Sequence, residues 1–527
     1  MPLMSPSSAP YTPLPNAQAT FPPLSTTGKR LTIAAVYLGT LMASLAISLV
    51  TVALPAIQSA LKVEFSGLQW VVGAYALCLS AFMLSAGPLS DRYGRKRVWL
   101  SGVALFIFGS AVCAAASSLP LLIAGCALQG MAGAVVIPGS LSILTQAFPD
   151  PRERAHVIGG WSSFSGVALI VGPLLGGLLV DHVSWRSIFL INLPLGAVTL
   201  AIGLWGVQES ADPEHASFDP LGQVLSVLGL GGLTYALIDA GDAGWAAPST
   251  VLALVIALVA FILFIVVELR VARPILPVAL FRDRTFASVN FASFVLGFSG
   301  YSSLFLFSLF LQQVQGWSAT QAGWRMTPVF IAMAASASQF GRLAHRHGMR
   351  RLMISGYVLL GLSMLALAWI TPSTPYAIVA CLFTVLGIGL GLSVPATGAA
   401  AMAAVPRAMS GTGSATMNAL RQSGMTIGIA LLGTLMSARA LSTMTDGLAA
   451  IRIGDALALA SIAVQRHEMP QGLALAPGVF KPMLADAFAQ GFSSAAICAG
   501  LFGLLVPIAL LAKARRSRPL ITEDSPS

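Results

Sequence analysis

Fourteen apolar stretches, each near or above the ~20 residues that cross a hydrocarbon core, follow one another with short connections. They lie near 31–56, 68–90, 98–118, 119–146, 156–180, 187–207, 218–240, 247–268, 286–314, 319–341, 352–371, 375–404, 410–438 and 491–512. Pro120 divides the third from the fourth. A chain built this way has no length left for a soluble core. Lipid leaves the backbone no hydrogen-bond partner but its own, so the predicted fold class is an all-α integral membrane protein. Composition agrees: 56% of the residues are hydrophobic and 9% charged, against about 25% charged in a soluble domain. The mean hydropathy is +0.83.

A formal net charge of +10 would suggest nucleic acid if the basic residues shared one face. Instead they sit in alternate loops. Lys29, Arg30, Arg92, Arg95, Lys96, Arg97, Arg152, Arg154, Arg270, Arg273, Arg282 and Arg284 fall on one side, joined by Arg342, Arg346, Arg350, Arg351, Arg407, Lys513, Arg515, Arg516 and Arg518. The other side holds Lys62, Arg186, Arg439, Arg452, Arg466 and Lys481. Basic loops stay in the cytoplasm, so both termini are expected there, as an even number of crossings requires. The five cysteines lie in or beside apolar stretches without C-x-x-C spacing, which indicates neither a disulfide framework nor a zinc site. The opening Pro/Ser/Thr-rich segment lacks the basic start of a signal peptide and reads as a disordered tail.

Two loops repeat. GPLSDRYGRKR, Gly87 to Arg97, has a weaker copy in GRLAHRHGMRR, Gly341 to Arg351. Gly130 and Pro138 in the fourth stretch recur at equal spacing as Gly387 and Pro395 in the twelfth. Gly172 and Gly176 in the fifth recur as Gly424 and Gly428 in the thirteenth. Stretches one to six therefore map onto nine to fourteen, with seven and eight inserted. The implied organisation is a tail over 1–30, a six-helix half over 31–207, two inserted helices over 208–270, a second half over 271–512 and a tail over 513–527. A loop on the far side, 439–490, carries Ala/Leu-rich pieces able to form amphipathic helices.

The first loop has a physical task. Gly87 and Gly94 permit close approach and a tight turn, and Asp91 is placed to cap a helix or pair with Arg95. With Arg92 and Lys96 these residues form a candidate conformational latch. Gly166, Gly172, Pro173, Gly176 and Gly177 in the fifth stretch supply the small surfaces that membrane helices need for close packing.

The loop resembles the signature of the major facilitator superfamily, and the Gly-Pro run resembles the antiporter motif of its exporters. Further pieces resemble the fourteen-spanner drug:proton antiporter branch: TVALPAIQ at Thr51–Gln58, QWVVGAY at Gln69–Tyr75, WRSIFLINLPLG at Trp185–Gly196, Asp219 with Gly222, Glu268 with Pro274, QGWSATQAGW at Gln315–Trp324 and GSATMNALRQSGMTIGIA at Gly413–Ala430. The resemblance implies two six-helix repeats plus two central helices, and proton-linked export of small amphipathic molecules by alternating access.

The chain departs from that branch at two positions. Ala46 stands where the first span usually carries a carboxylate, and Cys126 where the fourth usually carries Arg, beside a retained Gln129-Gly130. A buried acid and base lost together leave no stranded charge. No other Asp, Glu or His falls well inside a stretch, whereas Arg421 does, with Asn418 and Gln422 on its helical face. Gln129, Asn418, Arg421 and Gln422 are the candidate substrate or coupling residues. No cofactor beyond a coupled proton is implied. The expected partners are the lipid bilayer and a small amphipathic substrate, not nucleic acid; a periplasmic adaptor is left open. The alternative is a uniporter, or an atypically coupled exporter of a neutral or anionic metabolite. No H-E-x-x-H, G-x-S-x-G or phosphate-binding loop is present, which argues against a membrane enzyme and nucleotide-driven transport.

Overall fold

The computed structural model describes residues 25–211, 219–271, 274–276, 278–405, 409–471, 473 and 475–516. Most of the expected N-terminal tail and nearly all of the C-terminal one lie outside them. The first six spans are α1 (Thr26–Leu61), α2 (Phe65–Tyr93), α3 (Arg95–Ala115), α4 (Leu119–Ala147), α5 (Pro151–His182) and α6 (Ser187–Gly206). The inserted pair is α7 (Pro220–Asp242) and α8 (Pro248–Arg270). Then come α9 (Arg284–Val314), α10 (Ala319–His347), α11 (Met349–Leu367), α12 (Tyr376–Ala403) and α13 (Ser410–Ala450). A short α14 (Ala456–Arg466) precedes α15 (Pro477–Arg516).

Thirteen of these helices are long and apolar enough to cross a membrane. The expected tenth span, α10, is a 29-residue helix outside that set. Its second half carries Ser336, Ser338, Gln339 and Arg342, which lower its hydropathy. The helices start where their caps place them. Ser25, Asp150 and Asp283 accept N–H bonds in the first turns of α1, α5 and α9, and Ser318 with Gln321 forms a reciprocal box at α10.

The packing repeats as the motifs do. In the first half α1 packs on α5, and α4 on both α2 and α3; in the second, α9 packs on α13, and α12 on both α10 and α11. The glycine pairs make these contacts. Side chains at Gly172 and Gly176 would run into Ser48 and Val52 of α1, and at Gly424 and Gly428 into Phe294 and Ser302 of α9. The inserted α7 lies against α2 and α13, and α8 packs on α7 with much of its apolar surface exposed to the lipid side.

The far-side loop expected over 439–490 is instead largely helix. α13 continues to Ala450 and α15 already begins at Pro477. α15 runs through Pro482 without a break, and Met444, Leu448, Phe480 and Leu484 bury against one another's helices. Only the stretch bearing α14 remains between them.

Candidate substrate cleft

The two halves meet chiefly toward the face opposite the basic loops. There a Cβ at Gly177 would strike Ala319 and Thr320 of α10, and one at Gly323 would strike Pro173. Asp181, at the end of α5, accepts the N–H of Thr320 at 2.8 Å, so the first half caps a helix of the second. Ser308 donates to the Thr51 carbonyl at 2.7 Å, Gln312 to Val52 at 3.1 Å, and Gln313 to Gln58 Oε1 at 2.7 Å. Gln69 donates to the Ala430 carbonyl at 2.8 Å, and Ser80 meets Ser423 at 2.6 Å. Toward the basic face, Ser162, Ser163 and Phe164 of α5 and Ala335, Ser338 and Gln339 of α10 are exposed. Serines and a glutamine are thus exposed along α5 and α10 on the basic side of the Gly177 and Gly323 contacts.

Arg421 lies on α13 and is half-buried. It donates to Asn418 Oδ1 at 2.5 Å, and its guanidinium is 5.6 Å from the Tyr301 ring. Among the described residues it has no carboxylate partner; the ion pairs there are Lys29–Glu153, Arg95–Asp91 and Arg97–Glu209. Its backbone is pressed against Gly297, within a π-helical turn of α9, Leu296–Tyr301. Such turns leave unusual backbone geometry and recur at functional sites. Gln422 is half-buried on the same face.

The neutral positions come together as well. Ala46, Cys126 and Gln129 line one small cavity of about 10 Å³ with Tyr75 and, from the other half, Met425. That volume matches about one water molecule. Gln129 itself is fully buried and donates to Ser110 on α3 at 2.7 Å, which ties α4 to α3.

The repeated loops are shorter than the motif suggests. Gly87 is inside α2 with no atom within 4 Å of where a Cβ would sit, so it makes neither a turn nor a close approach. The turn is a single residue, Gly94, with φ +101°, and Gly348 repeats it at φ +84°. Both values lie where a side chain is strained. Asp91 bonds Arg95 at 2.7 Å, one helical turn on, and does not cap a helix. Capping falls to Glu209, after α6, which accepts the N–H of Lys96 at 3.1 Å and of Arg97 at 3.2 Å. Lys96 donates to the Leu204 carbonyl at 2.7 Å, and Arg92 covers the Tyr93 ring at 5.4 Å. None of these contacts reaches the second half.

Gly166 also departs from expectation: a Cβ there meets nothing within 4 Å, so it makes no close helix contact. Gly172 and Gly176 pack on α1, whereas Pro173 and Gly177 belong to the contact with α10. Sequence reading missed Glu209, Asp181 and Ser80, and picked out Gln69 only as part of a motif, without its contact. Each acts through a partner more than a hundred residues away, and no local pattern signals that.

Residues 36–429 match the profile of the Major Facilitator Superfamily. The chain is 35% identical to the methylenomycin A resistance protein of Bacillus subtilis over 81% of its own length and 92% of that protein's. It is 37% identical to the multidrug resistance protein Stp of Mycobacterium tuberculosis, covering 79% of this chain and 78% of that one. The drug efflux pump JefA of the same species is 33% identical, with 78% and 81% covered. Among solved structures, a bacterial homologue of the lysosomal transporter Spinster, in an inward-facing and unoccupied conformation, aligns with TM-score 0.63 at 18% identity over 93% of this chain and 98% of that one. The nucleoside transporter NupG aligns with TM-score 0.59 at 13% identity, over 92% and 99%. At those identities the likeness establishes the fold alone.

Proposed function

Because the chain belongs to the major facilitator superfamily, and is thus a multi-pass membrane transporter rather than an enzyme, we propose that it exports small amphipathic drugs by alternating access, driven by protons. The relatives named for drug resistance and efflux support the export reading. One observation carries the mechanism: glycine-lined contacts close α5 on α10 toward the far face, while polar residues of both helices are exposed toward the basic face, which we read as a cleft open on that side. Positive loops and bacterial relatives support the inner membrane, with the termini and the open cleft on the cytoplasmic side.

On this reading, substrate enters between α5 and α10 from the cytoplasm or the inner leaflet and meets the Asn418–Arg421–Gln422 patch. Rocking then parts Gly177 from Ala319 and closes the basic face. Asp91, Arg92, Gly94, Arg95 and Lys96, held rigid by Glu209, form the first half's contribution to that closure. With Ala46 and Cys126 neutral, Arg421 sets the charge of the pocket, which favours neutral or anionic amphipaths over permanent cations. An accessory periplasmic adaptor is not needed for this cycle.

The test is transport of a fluorescent amphipath by the purified chain in vesicles with an imposed pH gradient. Gradient-dependent movement that a protonophore abolishes supports proton-linked export. Equal movement with and without the gradient would leave facilitated diffusion.

A further inference from the structure

The inserted hairpin buries two acids that the transport cycle above does not use. Asp219 precedes α7 and is 5% exposed; Glu268 ends α8 and is 3% exposed. Each spends one oxygen on a neighbouring backbone. Asp219 Oδ1 accepts the Gly222 N–H at 2.9 Å, and Glu268 Oε2 accepts the Leu276 N–H at 3.0 Å. The remaining oxygens, Asp219 Oδ2 and Glu268 Oε1, are buried and have no hydrogen-bond partner. They converge on one point: a Cβ at Gly222 would lie 2.6 Å from the first and 2.9 Å from the second.

Two ionised carboxylates cannot face each other out of water without a balancing positive charge. A hard metal ion would want six or more oxygens, and only two converge here. The walls nearby are Leu225, Phe264 and Leu276, which offer none. No cation of the described residues reaches the pair: Arg270 on α8 and Arg282 in the following turn are exposed. From the adjoining α2, Ser85 bonds Gln223 of α7, and both are neutral. Arg273 lies outside the described residues.

We propose that Asp219 and Glu268 form a proton-binding site, one proton held between Asp219 Oδ2 and Glu268 Oε1 in a carboxyl–carboxylate hydrogen bond. The bond closes the two ends of the hairpin on each other. Through Glu268 Oε2 it also fixes the linker that leads into the second six-helix half. Gly222 is required because any side chain would occupy the space between the acids. The site does not depend on the transport reading, since its test measures protonation of the purified chain.

The test is the infrared spectrum of the full-length protein in detergent at neutral pH, where exposed carboxyls are ionised. A protonated-carboxyl C=O band that shifts in D₂O and disappears in E268Q is the expected result. E268Q and D219N should melt within a few degrees of wild type, because the new amide donates where the proton-bearing carboxyl did. Absence of the band from the wild-type spectrum overturns the site, and that reading needs no variant to fold. A melting temperature that falls on chelation, or falls sharply in both E268Q and D219N, would also overturn it, since a metal ion or Arg273 would then be the balancing charge.

Discussion

A guanidinium at membrane depth costs at least ~2.5–3.5 kcal/mol on insertion scales, and Arg421 meets that cost without a carboxylate. Its side chain bonds Asn418 Oδ1 and lies over the Tyr301 ring. Arg421→Lys keeps the charge and loses the fork, whereas Arg421→Gln loses both. Substrate affinity, measured by fluorescence titration of purified protein, should fall severalfold in R421K and more in R421Q, with melting temperatures near wild type. Normal affinity in folded R421Q would make the residue structural. Glu209 is the residue-scale counterpart at the basic face. Glu209→Gln weakens the cap on α3 and should cost about 0.5–2 kcal/mol, read as a lower melting temperature. His467, between α14 and α15, packs on Phe488 with Nδ1 unpartnered, and burial pushes it down to about 4. Between pH 6.5 and that value the unfolded segment binds a proton that the folded one does not. Stability of the α14 region should therefore fall as pH drops through this window, and H467F should flatten the dependence seen by hydrogen exchange.

Among the elements, α5 and α10 hold the gate. Their approach at Gly177 and Gly323 admits no side chain, so Gly177→Val or Gly323→Val should hold the far face apart. The expected outcome is labelling by membrane-impermeant thiol reagents of a cysteine at Thr320, faster in either variant than in its parent, with transport lost. Unchanged labelling would show that the contact yields without opening. At this scale the sequence is informative where chemistry is local. The turn at Gly94 and the paired glycines of α5 and α13 are readable from neighbouring letters. Gly87 and Gly166 are not, since a glycine facing open space is spelled like one facing a helix. Nor is the π-helical turn of α9 at Leu296–Tyr301, where Gly297 meets the Arg421 backbone far along the chain. The polar second half of α10 reads as a weak span until the proposed cleft beside it explains the serines.

For the whole molecule, the internal repeat is the mechanism. α2 against α13 and α5 against α10 are equivalent contacts, exchanged when one half is laid on the other. Both are tightest toward the far face, and a rocking motion about them opens one face as it closes the other. The inserted α7 follows the α2–α13 seam, so it should move with the halves. A two-distance measurement by pulsed electron resonance tests this most directly. One spin-label pair, at Val183 and Ser373, spans the far face; another, at His156 and His345, spans the basic face, all four positions being exposed. Cysteine-free background protein is reconstituted in lipid and titrated with substrate. Alternating access predicts that the far-face distance lengthens while the basic-face distance shortens, in one population. Fixed distances at both faces in a variant that still transports would contradict it.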